Sequence, residues 1–94
     1  MNFHDKANRI LRRQRYSKKV GTLIAHDIDT HGPVRSVHTF LYRSVRGNYF
    51  TVTLIGGKNE REHLAPVTLD ESILLFHQLP VQTVSFLDAF PVSA

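Results

Sequence analysis

The densest apolar patterning lies in the middle of the chain. As an extended strand, residues 34–43 put Val37, Thr39 and Leu41 on one face, with Ser36, His38, Phe40 and Tyr42 crowding the other. Residues 48–55 are rich in the β-branched and aromatic residues that suit a pleated surface. Between them lies Ser44-Val45-Arg46-Gly47-Asn48, where Gly47 and Asn48 both tolerate left-handed backbone. The spacing predicts a short hairpin with a bulge. Phe50, Val52 and Leu54 are expected to point into the core, and Tyr49, Thr51 and Thr53 to the other face.

Flanking elements follow from the same reading. Residues 20–28 alternate as a strand, with Val20, Ile24 and Ile28 on its core face. Asp29-Thr30-His31-Gly32-Pro33 is turn chemistry. After the polar loop 56–62, residues 63–67 are expected to return as a short edge strand, the one place in a sheet that tolerates Pro66. Thr68-Leu69-Asp70-Glu71 is a capping box and predicts a helix over residues 69–79, burying Leu69, Ile73, Phe76 and either Leu75 or Leu79. Pro80 stops it. Ser85 starts a final turn over residues 86–90, expected to tuck Phe86, Leu87 and Phe90 onto the core.

At the other end, Phe3, Ala7, Ile10 and Leu11 fall on one stripe of a helix spanning residues 3–15, with Asn2 as a possible N-cap. The competing reading has residues 9–15 joining the sheet. The resulting fold class is α+β: a three- to four-stranded antiparallel sheet with one main helix on a face, a basic N-terminal helix or arm and a short C-terminal helical turn. The 94 residues form a single domain, a basic segment 1–19 joined to a sheet-plus-helix body 20–94.

Charge changes the picture. Residues 1–19 hold seven basic side chains and one acid, Asp5. The remaining 75 residues hold five basic and seven acidic ones. Arg9, Arg12, Arg13, Arg15, Lys18 and Lys19 are spaced to meet successive phosphates, which gives affinity without sequence information. Tyr16 lies among them, and Tyr42, Tyr49, Arg43 and Arg46 on an exposed sheet face would add base stacking. No RRM, KH or helix-turn-helix signature accompanies them. The bland alternative is a solvated arm that keeps the protein soluble.

Without cysteine the chain has no disulfide framework and no thiol chemistry. No apolar run is long enough to cross a bilayer, and no apolar core follows the basic N-terminus as in a secretory signal. A cytoplasmic location without membrane attachment is the expectation.

Leu41-Tyr42-Arg43, Gly47-Asn48-Tyr49-Phe50, Gly56-Gly57 and Pro66-Val67-Thr68-Leu69-Asp70-Glu71 occur in that order. The order resembles a group of small uncharacterised bacterial and phage-borne proteins with an LYR strand, a GxYF strand, a GG loop and a PLTxEE helix start. The likeness runs over residues 20–90. It departs in the loop after Gly57, which is shorter here, and in the basic N-terminus. It implies the strand–strand–helix order and no catalytic role.

Catalytic chemistry finds little footing. Glu60 and Glu62 flank Arg61 in a loop, while Asp70 and Glu71 are helix-start acids. Gly56-Gly57-Lys58 lacks the spacing of a phosphate loop. His26, Asp27, Asp29 and His31 suggest a metal site, with His4, His38, His63 or His77 in support. Strand alternation, however, sends His26 and Asp27 to opposite faces, so no metal and no other cofactor is assigned. The expectation is a non-enzymatic binding domain that engages nucleic acid or a ribonucleoprotein through its basic segment. The alternative is a protein-binding adaptor or inhibitor of a larger machine, of the kind mobile elements carry. It would act through an exposed sheet face bearing Tyr42 and Tyr49, or through a strand edge, and it allows a homodimer.

Overall fold

The computed structural model describes residues 21–28, 37–56 and 61–91. They form an α+β fold with one main helix on an antiparallel sheet. The strands are β1 (Thr22–His26), β2 (Val37–Arg43), β3 (Tyr49–Ile55), β4 (Arg61–Val67) and β5 (Val81–Gln82). The helices are α1 (Leu69–Gln78) and α2 (Phe86–Ala89). The sheet order is β4-β3-β2-β1-β5. It therefore has five strands, where three to four were expected. The extra one, β5, follows Pro80 and pairs Val81 with His26 and Gln82 with Ala25. The expected N-terminal helix lies outside the described residues.

The central hairpin forms as its turn chemistry dictates. Val45, Arg46 and Gly47 make a three-residue loop, with Gly47 N–H donating to the Ser44 carbonyl (2.9 Å) and Ser44 N–H to the Asn48 carbonyl (2.6 Å). Gly47 takes φ +87°, the left-handed residue that this loop requires. Asn48 instead donates its N–H to Ser44 Oγ (3.0 Å). The register then runs without a break from Arg43↔Tyr49 to Val37↔Ile55.

β1 breaks the strict alternation expected of it. Leu23 pairs with Tyr42 but Ala25 with Leu41, so Ile24 is an extra residue in the strand. Such a bulge puts two consecutive residues on one side. Ile24 and Ala25 pack on the α1 side, while Leu23 and Ile28 pack on the opposite one. Ile24 and Ile28, expected on one face, thus lie on opposite faces.

Both faces of the sheet are apolar and buried. The first carries Leu41 and Tyr49 against Phe76 and Leu79 of the α1 region and Ala89 and Phe90 of the α2 region. The second carries Leu23, Ile28, Phe40, Tyr42, Val52 and Leu54, with Phe50 packed beside them. The main helix therefore covers the Tyr49 face, not the face of Phe50, Val52 and Leu54 that was expected to receive it.

α1 begins with the capping box. Glu71 N–H donates to Thr68 Oγ1 (3.1 Å), and the Glu71 carboxylate accepts from Thr68 N–H (3.4 Å). Ser72, not Leu69, sits at the sheet. Its Oγ donates to the Leu69 carbonyl at 2.6 Å, so a small residue lets the helix approach while its hydroxyl stays satisfied. Leu69 faces outward. At the end of the chain Ala89 and Phe90 are buried, whereas Phe86 and Leu87 are exposed.

Candidate functional surfaces of the sheet

The hairpin register decides where the two candidate tyrosines go. Arg43 lies opposite Tyr49, so Tyr42 lies opposite Phe50. Cross-strand partners share a face, and consecutive residues do not. Tyr42 and Tyr49 therefore project from opposite faces, and both are buried. The exposed tyrosine surface expected for stacking or protein recognition does not form among the described residues.

Each tyrosine belongs to its own core. Tyr49 packs at 5.0 Å from Phe90, which meets Phe76 edge-on at 5.5 Å. Its hydroxyl donates to the Ala89 carbonyl. Tyr42 stacks on Phe50, with ring centroids 5.2 Å apart and planes 10° from parallel. Its hydroxyl is buried and finds no hydrogen-bond partner among the described residues. Burial, and after it the negative charge of Glu62, raises the pKa of this phenol well above its ordinary value.

The Tyr42 face also carries polar groups. His26, opposite Phe40, accepts the Ile28 N–H on its Nδ1 (3.0 Å). His38 Nδ1 lies 3.1 Å from Asp27 Oδ1, and both side chains are largely shielded from water. The bulge brings this cluster together. By putting Ile24 and Ala25 on one side, it aligns His26 with Phe40 on the second face. Of the segment suspected of holding a metal, Asp29, Thr30 and His31 lie outside the described residues. Among those described, no three His, Cys, Asp or Glu side chains converge as a metal site. His26 and His38 are buried on this face, His26 bonded to backbone and His38 to the Asp27 carboxylate.

The six basic candidates, Arg9, Arg12, Arg13, Arg15, Lys18 and Lys19, all lie outside the described residues. Of the body's cations, Arg46 is exposed at the hairpin tip and Arg61 at the start of β4, while Arg43 is half-buried.

β4 offers a different surface. Arg61, Glu62, His63, Leu64 and Pro66 are all exposed, Leu64 to 63%. Among the described residues no strand pairs with its outer side. The Ser44–Asn48 bond sets the alternation of backbone direction, so Tyr49, Thr51, Thr53 and Ile55 turn toward β4. Glu62, Leu64 and Pro66 then turn their backbone outward, and Pro66 presents no N–H there. The edge is open but one donor short. The expected edge position of Pro66 holds; the strand is longer than expected because residues 61 and 62 continue the ladder to Ile55. The exposure of Leu64 had one sequence signal, its place in a segment that Pro66 confines to a sheet edge.

No described helix is long and apolar enough to cross a membrane. Comparison with protein-family models, with curated proteins and with solved structures finds no match to this chain.

Proposed function

We propose that the chain is a non-enzymatic binding domain whose basic segment engages a polyanion, nucleic acid or a ribonucleoprotein, in the cytoplasm. One observation carries this reading: seven of the twelve Lys and Arg residues lie in the first 19 positions, attached to a body with more acids than bases. Arg9, Arg12, Arg13, Arg15, Lys18 and Lys19 supply the contacts, and phosphate neutralisation supplies the affinity. With both sheet tyrosines buried, Tyr16 is the one tyrosine left for base stacking, and the phosphate contacts make the binding tolerant of sequence. The test is fluorescence anisotropy of labelled duplex DNA, single-stranded DNA and RNA at low and moderate salt, with wild type and Arg12→Ala/Arg13→Ala. Binding that weakens steeply with salt and with the double substitution supports the reading. No binding to any probe at low salt sinks it.

A second reading is favoured by the open edge of β4. An extended segment of a target protein would pair with Leu64 and Glu62, as an adaptor or inhibitor does by adding a strand. The order β2, β3, α1 suits the small bacterial and phage-borne proteins that the chain resembles, and inhibitory binding is in keeping with such an origin. This binding would be insensitive to salt and weakened by Leu64→Lys.

A further inference from the structure

The second sheet face is buried more deeply than its described neighbours explain. Phe40 and Tyr42 are 0% exposed and Leu54 1%. Both described helices pack on the other side, around Tyr49 and Leu41. A sheet face with nothing over it leaves such side chains in water.

We propose that this face is the docking site for the chain's own N-terminal segment, residues 3–15, which lies on it as an amphipathic helix. Phe3, Ala7, Ile10 and Leu11 meet Phe40, Tyr42, Phe50 and Val52. Four observations select this occupant. First, of the chain outside the described residues, segment 57–60 has no large apolar side chain, while 29–36 and 92–94 have only Val34 and Val92. Segment 1–20 alone carries an apolar stripe at helical spacing.

Second, the dimensions agree. Thirteen helical residues run about 20 Å, and a seven-residue strand spans about 23 Å. Third, a helix about 10–12 Å across covers two to three strands about 4.8 Å apart. The burial has that width: it includes Leu23 of β1, Phe40 and Tyr42 of β2 and Val52 and Leu54 of β3, then stops, leaving Leu64 of β4 exposed. Fourth, the chain enters the sheet beside the site. Gly21 turns at φ +123°, and Leu23, two residues on, already belongs to this face.

The docking has a consequence for charge. On a helix with that stripe facing the sheet, Lys6, Arg9, Arg12 and Arg13 fall on the outward sides. The docked helix would present them as a fixed basic ridge. The ridge deepens the polyanion reading; the docking itself does not rest on it.

The test uses the absence of native cysteine. A nitroxide on Asn8→Cys, and separately on Asp5→Cys, labels the full-length chain away from the apolar stripe. The expected result is strong paramagnetic broadening of the Val52 and Leu54 methyl signals, with Leu74 on the outer side of α1 little changed. Equal broadening of all three, or none, overturns the proposal. So does broadening that appears between spin-labelled and isotope-labelled molecules in a mixed sample, which would assign the face to a second copy. The anisotropy titration above reads polyanion binding separately, so failure of either idea is distinguishable from failure of the other.

Discussion

The hydroxyl of Tyr49, at the start of β3, donates to the carbonyl oxygen of Ala89 at 2.6 Å, across 40 residues of chain. This bond ties the short α2 to the middle of the sheet. Phe76 and Phe90 shield it, so water does not replace it when it is lost. Tyr49→Phe leaves a buried carbonyl without its donor and is expected to cost about 1–3 kcal/mol. Urea unfolding followed by circular dichroism measures the loss. Hydrogen exchange should show α2 loosening before the strands do.

Tyr42 is the opposite case. Its hydroxyl is buried with no partner among the described residues, so Tyr42→Phe removes an unsatisfied group and keeps the ring stacked on Phe50. Stability at neutral pH is expected to stay level or rise by about 1 kcal/mol.

Alkaline pH separates the same two proteins. The Tyr42 phenol is raised in the folded state by burial and by Glu62. Below the ordinary phenol pKa of about 10 the group is protonated in both folded and unfolded chains, and stability does not depend on its titration. Above that the unfolded chain gives up the proton first, so stability falls as pH rises toward the folded value. Thermal unfolding between pH 9 and 11 should show a steeper decline in wild type than in Tyr42→Phe.

The two glycines with positive φ differ in surroundings. At Gly21 (φ +123°) an added Cβ would collide with the Arg43 carbonyl oxygen, whereas at Gly47 (φ +87°) the nearest atom is the tip of the Arg43 side chain at 3.6 Å. Gly47→Ala is expected to cost about 1–2 kcal/mol, the backbone penalty alone. Gly21→Ala adds a backbone clash and should lower Tm clearly more. Equal shifts in the two variants would contradict this ranking.

Salt dependence gives the polyanion reading a number. For duplex DNA the slope of log K against log salt is about −0.9 per phosphate neutralised. Removing two cations in Arg12→Ala/Arg13→Ala should therefore make the slope shallower by about two. A weaker affinity with an unchanged slope would place those arginines outside the contact.

Signals confined to a few neighbouring residues were legible in the sequence. The hairpin loop, the Thr68 capping box, the stop at Pro80 and the Ser85 cap all depend on side chains within four positions of one another. Which face α1 chooses was not legible, because both faces of β2 and β3 are apolar and alternation cannot rank them. The β1 bulge was hidden for a related reason: Leu23, Ile24 and Ala25 are all apolar, so a slip of one residue leaves no mark on the pattern. β5 is two residues long, too short for any period. The separation of Tyr42 from Tyr49 was readable in principle. Once a three-residue loop sets Arg43 opposite Tyr49, parity places the two tyrosines on opposite sides.

The two ends of the sheet are unequal, and the inequality limits what the fold can build. At one end β5 contributes two residues, and Thr83 closes the row by donating its N–H to the Ile24 carbonyl at 3.0 Å. At the other, β4 runs seven residues. A repeating head-to-tail filament needs two long complementary borders, and the described sheet has one. Joining β4 to β4 about a two-fold axis uses up that border in both copies and leaves nothing on which to add a third. For the sheet of the described residues, edge-to-edge growth would therefore stop at the pair.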